Sequence, residues 1–162
     1  MSAVPRDEPM LPPMTVAELS AVVTIEAAAY DFPWTRGNFI DSLAAGYLAR
    51  VLRDGAGRVI GYFVAMKGVD EMHLLNLTVA PAEQGNGYAR RMLDELVSLC
   101  AAVHADQLWL EVRETNARAR KLYLRYGFRH IGVRRGYYPA LHARREDASV
   151  MSLQIRRRDD LD

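Results

Sequence analysis

Near the start of the chain, apolar residues recur at helical spacing, at Val16, Leu19, Val22, Val23 and Ile25 and on to Ala29, just after Thr15 and Glu18 three residues apart. A capping-box spacing followed by an apolar face predicts a helix to about Tyr30. "DFPW" ends it, because Pro33 cannot continue a helix and disfavours the helical region for Phe32 before it. A short second helix is expected over residues 36–45. The pattern then changes period: "YLARVLR" and "VIGYFVAM" flank "DGAG" as a hairpin, and "MHLLNLTV" supplies a third antiparallel strand.

After residue 80, helices and strands alternate. From Ala89 the positions Met92, Leu93, Leu96, Val97, Cys100 and Val103 follow helical spacing. "LWLEV" reads as a short buried strand, and "NARARKLYLRYG" as a helix with Asn116 placed to cap it and Gly127 placed just past its end. "FRHIGVR" and "ASVMSLQI" give two more strands around the loop "RGYYPALHARRED". No repeat is evident, so a single domain is expected over residues 14–155. A weakly ordered Pro-rich leader precedes it at 1–13, and a solvated tail follows at 156–162.

An apolar fraction of 50% with 25% charged residues describes an ordinary globule, not a disordered or fibrous chain. The formal charge of +1 offers no broad surface for nucleic acid or membrane, so any electrostatic recognition must be local. The single cysteine, Cys100, excludes an internal disulfide framework and fits a reducing cytoplasm; on the apolar face of its helix it reads as a small hydrophobe. No apolar run reaches the roughly 20 residues of a membrane helix. His73, His104, His130 and His142 lack metal-ligand spacing, so no metal is expected.

The stretch "VAPAEQGNGYARRML" has two glycines one apart just before a helix. A P-loop needs Lys and Ser/Thr after its last glycine, and Gly87 is followed by Tyr88 and Ala89. The dinucleotide fingerprint begins well with Gly85 and Gly87, but Arg90 stands where a third small residue must allow close packing, and an antiparallel hairpin comes first. A third pattern, Gln/Arg-x-x-Gly-x-Gly/Ala, is met by Gln84, Gly87 and Ala89. Its backbone N–H groups at a helix N-terminus suit a pyrophosphate without a metal.

That loop resembles the pyrophosphate loop of the GCN5-related N-acetyltransferases (GNAT), and the order of elements is also theirs. "FPW", "LLNLTVAP", "LWLEVRETNARARKLYLRYGF", "RRGYYP" and "ED" resemble, more narrowly, the bacterial ribosomal-protein-alanine acetyltransferases, over about residues 15–155. The resemblance implies an α/β (α+β) fold: a mixed central sheet with antiparallel N-terminal strands, helices on both faces, and two splayed parallel strands forming the cofactor cleft. It implies acetyl-CoA as co-substrate, held by Gln84, Gly85, Asn86, Gly87, Tyr88 and Ala89 at the pyrophosphate and by the backbone of Leu77, Thr78 and Val79 along the arm. Asn116 would also touch the arm; its other reading, a helix cap, is compatible.

By the same resemblance Glu111 is the general base and Tyr123 the general acid. The residues alone leave both open: Glu111, a charge inside an apolar strand, could be ion-paired to Arg113 or another cation, and Tyr123 lies on an apolar helix face with Ala119, Leu122 and Tyr126. The implied acceptor is the N-terminal alanine of small-subunit ribosomal protein eighteen. Phe32, Trp34, Tyr137 and Tyr138 would line the peptide groove, with Glu111, Glu114, Glu146 and Asp147 as acidic partners for a basic peptide. A monomeric, cytoplasmic enzyme is expected. A small-amine acetyltransferase, an enzyme acting on other protein N-termini and a non-catalytic acyl-CoA binding module are the alternatives.

Overall fold

A computed structural model describes residues 8–156. In chain order the elements are α1 (Leu19–Ala29), α2 (Arg36–Ala44), β1 (Leu48–Arg53), β2 (Val59–Lys67), β3 (Glu71–Val79), α3 (Tyr88–Ala102), β4 (Gln107–Arg113), α4 (Ala117–Tyr126), β5 (Arg129–Pro139) and β6 (Arg145–Gln154). The strands hydrogen-bond in the order β1-β2-β3-β4-β6-β5, a mixed sheet in a chain of mixed α/β class. Two compact units divide the chain, one of residues 1–66 and 76–95, the other of 67–75 and 96–162. The boundary passes through the middle of β3 and of α3. Among the described residues no helix is long and apolar enough to cross a membrane.

In the first unit Thr15 N donates to Glu18 Oε2 at 2.7 Å, the expected capping contact, and a single tight turn over Val16–Glu18 leads into α1. Leu19 and Val22 of α1, Phe39 of α2, Val51 and Leu52 of β1, Tyr62 and Phe63 of β2 and Met92 are fully buried. The β1–β2 hairpin is antiparallel, as "DGAG" predicts. Gly61 is needed where β2 meets β3, since a Cβ there would lie 2.9 Å from the Thr78 carbonyl oxygen.

The leader departs from expectation. Residues 1–7 lie outside the described residues, but Met10 and Arg53 exchange backbone hydrogen bonds at 3.0 and 2.8 Å, and Val51 N donates to Pro12 O at 3.0 Å. Met10 and Pro13 thus bridge antiparallel to β1. Strand pairing is a backbone property, so the prolines that suggested disorder do not prevent it at positions whose carbonyls do the bonding. Of the expected tail, 157–162 lie outside the described residues.

In the second unit β3 and β4 pair in parallel from Glu71↔Gln107 to Leu74↔Leu110, and β6 pairs antiparallel with β4 and with β5. Leu108, Leu110 and Val112 of β4 face inward with Met72, Leu74, Met151 and Cys100; Trp109, Glu111 and Arg113 occupy the opposite face. Strands β5 and β6 run longer than expected and absorb most of the predicted loop. The register shifts between Arg134 and Tyr138, where Gly136 takes φ +58°, and pairing resumes at Tyr138↔Glu146. A bulge lets the ladder continue through a segment whose glycine and proline read as loop.

Candidate active site

Glu111 stands one residue past the last registered β3–β4 pair. Its side chain is 6% exposed, and both oxygens are engaged: Oε2 lies 2.7 Å from His73 Nε2, and Oε1 accepts from Arg134 Nη1 at 3.0 Å. His73 reaches it because the parallel register sets His73 beside Trp109, two residues before Glu111 and on the same face. The His73 ring lies flat on Trp109, with centroids 3.7 Å apart and planes 8° from parallel. Glu111 is thus ion-paired to Arg134 and in contact with His73, while Arg113 reaches the segment after Arg134. Its guanidinium donates to Pro139 O at 2.8 Å, lies 3.5 Å from Glu146 and sits 4.5 Å over the Tyr138 ring.

These contacts belong to the β5–β6 hairpin. Glu146 also accepts from Thr115, and Asp147 Oδ1 accepts from Gly136 N at 2.8 Å, at the bulge. Asp147 thus braces the hairpin at its bulge and Glu146 ties it to Arg113 and Thr115, while Glu114 is exposed. Tyr137 and Tyr138 pack edge to face at 4.8 Å, Tyr137 exposed and Tyr138 half-buried. Burial pushes the Tyr138 phenol up, and the nearby Glu111 carboxylate adds to the effect.

Tyr123 is buried on α4, edge to face with Phe128 at 5.4 Å. Asn116 caps α4, its Oδ1 accepting from Ala119 N at 3.1 Å, and Gly127 ends it with φ +122°. Both helix ends are as the sequence predicts. Burial raises the Cys100 thiol to about 11, so it packs as a hydrophobe.

In the first unit the loop before α3 contains two residues in the left-handed region, Gly85 (φ +84°) and Gly87 (φ +81°). Gln84 Nε2 donates to Val79 O at 3.2 Å and Asn86 Nδ2 to Glu83 O at 3.0 Å, so both side chains brace the turn. A helix leaves its first N–H groups without internal acceptors, and left-handed glycines next to them let the backbone approach an anion closely.

The same unit holds a buried polar network that sequence reasoning did not single out. Glu26, 1% exposed, accepts at Oε1 from Tyr62 Oη at 2.9 Å and Asn76 Nδ2 at 2.7 Å, and at Oε2 from Trp34 N at 3.3 Å. Thr78 Oγ1 donates to Asn76 Oδ1 at 2.7 Å and lies 2.7 Å from Tyr30 Oη. Glu26 thereby ties the "FPW" turn to the strand carrying Leu77, Thr78 and Val79. Trp34 is half-buried against Phe39 at 5.3 Å, and Phe32 is 40% exposed. His73, Asn76 and Glu26 each carry a polar group inside an apolar run, the signal that flagged Glu111.

The profile of the acetyltransferase (GNAT) family matches residues 19–128. The chain belongs to that family and is, by class, an acetyl-CoA-dependent N-acetyltransferase. It is 34% identical over 146 residues to the ribosomal protein bS18-alanine N-acetyltransferase of Haemophilus ducreyi, spanning 90% of this chain and all of that one. It is equally similar, 34% over 142 residues, to the Escherichia coli K12 protein of the same name, across 88% of this chain and 95% of that one. The crystal structure of the ribosomal-protein-S18-alanine N-acetyltransferase from Escherichia coli matches with a TM-score of 0.83 at 33% identity, covering 91% of this chain and 94% of that chain.

Proposed function

We propose that the chain transfers an acetyl group from acetyl-CoA to the N-terminal alanine of small-subunit ribosomal protein eighteen. The 34% identity to enzymes of that name across nine-tenths of the chain carries the reading. Acetyl-CoA supplies an activated acyl group as a thioester. Gln84, Gly85, Asn86, Gly87, Tyr88 and Ala89 hold its pyrophosphate, and the backbone of Leu77, Thr78 and Val79 and the side chain of Asn116 hold its arm. Phe32, Trp34, Tyr137 and Tyr138 receive the peptide.

Glu111 takes a proton from the α-ammonium group of the acceptor. With an α-amino pKa of about 7.7–8.0 this removes about one unit of unfavourable protonation at neutral pH, a modest task for a carboxylate. The freed amine attacks the thioester carbonyl, a C–N bond forms and the C–S bond breaks. The nitrogen's second proton restores the Tyr123 phenol after that phenol has protonated the thiolate, and the proton on Glu111 passes to solvent. A backbone N–H of residues 77–79 stabilises charge on the carbonyl oxygen. Tyr123 donates its phenolic proton to the departing thiolate, an uphill transfer of roughly 2 kcal/mol between unperturbed groups, so its loss falls on turnover.

Peptides differing in their first residue, incubated with acetyl-CoA and read by mass spectrometry, test the acceptor. One added acetyl group confined to the Ala-starting peptide is expected; acetylation of small amines with none of that peptide would overturn the reading. Glu111→Gln and Tyr123→Phe are each expected to lower peptide turnover by about 10-fold or more while acetyl-CoA still binds. Full activity in both variants would refute the mechanism.

A further inference from the structure

We infer that His73 is a positioning residue for the acetyl transfer: it anchors one oxygen of Glu111 so that the other, covered by Arg134, is the one that meets the acceptor amine. The inference rests on Glu111 acting as the base.

The two partners of Glu111 are held very differently. The His73 side chain is 11% exposed, stacks flat on Trp109 and is fixed at its backbone by the β3–β4 ladder. Facing an ionised carboxylate, Nε2 is assigned as the N–H donor to Oε2. The Arg134 side chain is 53% exposed, and its guanidinium lies 5.2 Å over the Tyr137 ring. An exposed ion pair contributes little, and an aromatic face offers the released guanidinium a second contact.

An incoming α-ammonium group has the charge of the guanidinium and needs the same oxygen. It therefore takes the place of Arg134 at Oε1, cation for cation, without disturbing the histidine. An N–H bond of the ammonium breaks, an O–H bond forms at Glu111 Oε1, and the nitrogen lone pair is released toward the thioester carbon. His73 keeps its proton throughout; it acts by holding the carboxylate plane. Groups placed within tenths of an ångström by such contacts lose turnover when the support is removed.

Two substitutions separate the hydrogen bond from the packing. His73→Phe keeps a ring to stack on Trp109 but has no donor, and His73→Gln keeps an N–H near the Nε2 position with less stacking. For acetylation of an Ala-starting peptide, His73→Phe is expected to lower kcat roughly 10-fold with the KM for acetyl-CoA within about 2-fold, and His73→Gln to stay within about 3-fold of wild type. Wild-type kcat in His73→Phe, or equal losses in both variants, would overturn the inference. His73→Met repeats the comparison if His73→Phe does not fold. Glu111→Gln, assayed alongside, separates the two levels. Full activity there removes the base reading, whereas a disabled Glu111→Gln beside a fully active His73→Phe removes only the role of His73.

Discussion

Replacing the buried carboxylate of Glu26 makes a prediction that can be worked from its contacts. In Glu26→Ala, Tyr62 Oη and Asn76 Nδ2 lose the oxygen they share at 2.9 and 2.7 Å and stay inside the core. A buried donor left unsatisfied costs about 1–3 kcal/mol, so the pair costs roughly 2–6 kcal/mol. That is a large share of the roughly 5–15 kcal/mol that holds a domain folded. Glu26→Gln keeps an oxygen for both donors and misplaces only the 3.3 Å contact with Trp34 N, a loss of about 1 kcal/mol.

The charge adds a pH dependence. Burial raises the Glu26 pKa above its ordinary 4.5, against the opposing effect of its hydrogen bonds to Asn76, Tyr62 and Trp34. The folded state therefore holds the proton more tightly than the unfolded one. Wild type loses stability as pH rises from the unfolded pKa through the folded one, by at most about 1.4 kcal/mol per pH unit, and the penalty is complete above the folded pKa. Glu26→Gln has no such term. In urea unfolding from pH 4 to 8 it should gain on wild type as pH rises and then hold a constant offset. Other titrating groups are common to both proteins and cancel in the difference. Parallel curves would refute the reading of a desolvated carboxylate, and Glu26→Ala within 1 kcal/mol of wild type would show that the two donors find other partners.

Two further outcomes concern glycines of the first unit. Gly61→Ala places a Cβ 2.9 Å from Thr78 O and 3.2 Å from Met92 Cε. Overpacking of this kind costs about 1–3 kcal/mol, a fall in Tm of roughly 2–4 °C per kcal/mol for a chain this size; an unchanged melt would contradict it. At Gly87 an added Cβ meets nothing within 4 Å, so Gly87→Ala suffers only from its φ of +81°, about 1–2 kcal/mol. Its KM for acetyl-CoA should rise with kcat little changed, and an unaltered KM would count against the pyrophosphate role of the loop.

What could be read from the chain alone follows from how local each signal is. The α4 helix carries its start and stop within a dozen residues, at Asn116 and Gly127, and both act as read. Glu111 stood out because "LWLEV" is otherwise apolar. His73 carried the same signal, but its meaning depends on a residue 38 positions later, joined only through a parallel register. Glu26 is harder still, since its partners Tyr62 and Asn76 lie 36 and 50 positions away on other elements. The β5–β6 extension was hidden for the opposite reason: Gly136 and Pro139 signal a loop locally, and only the ladder with Arg145 and Glu146 overrides them.

The segment ahead of α1 bears on how the protein is handled. Strand β1 ends the strand order, so without residues 10–13 the N–H groups of Val51 and Arg53 would form an open template for another chain. The segment that covers them is a poor template in turn: Pro13 has no N–H to offer on its outer side, and the Leu11 carbonyl is taken by the Arg50 guanidinium at 3.1 Å. Trimming the chain to its predicted domain start at residue 14 would remove a built-in guard against edge-to-edge self-association.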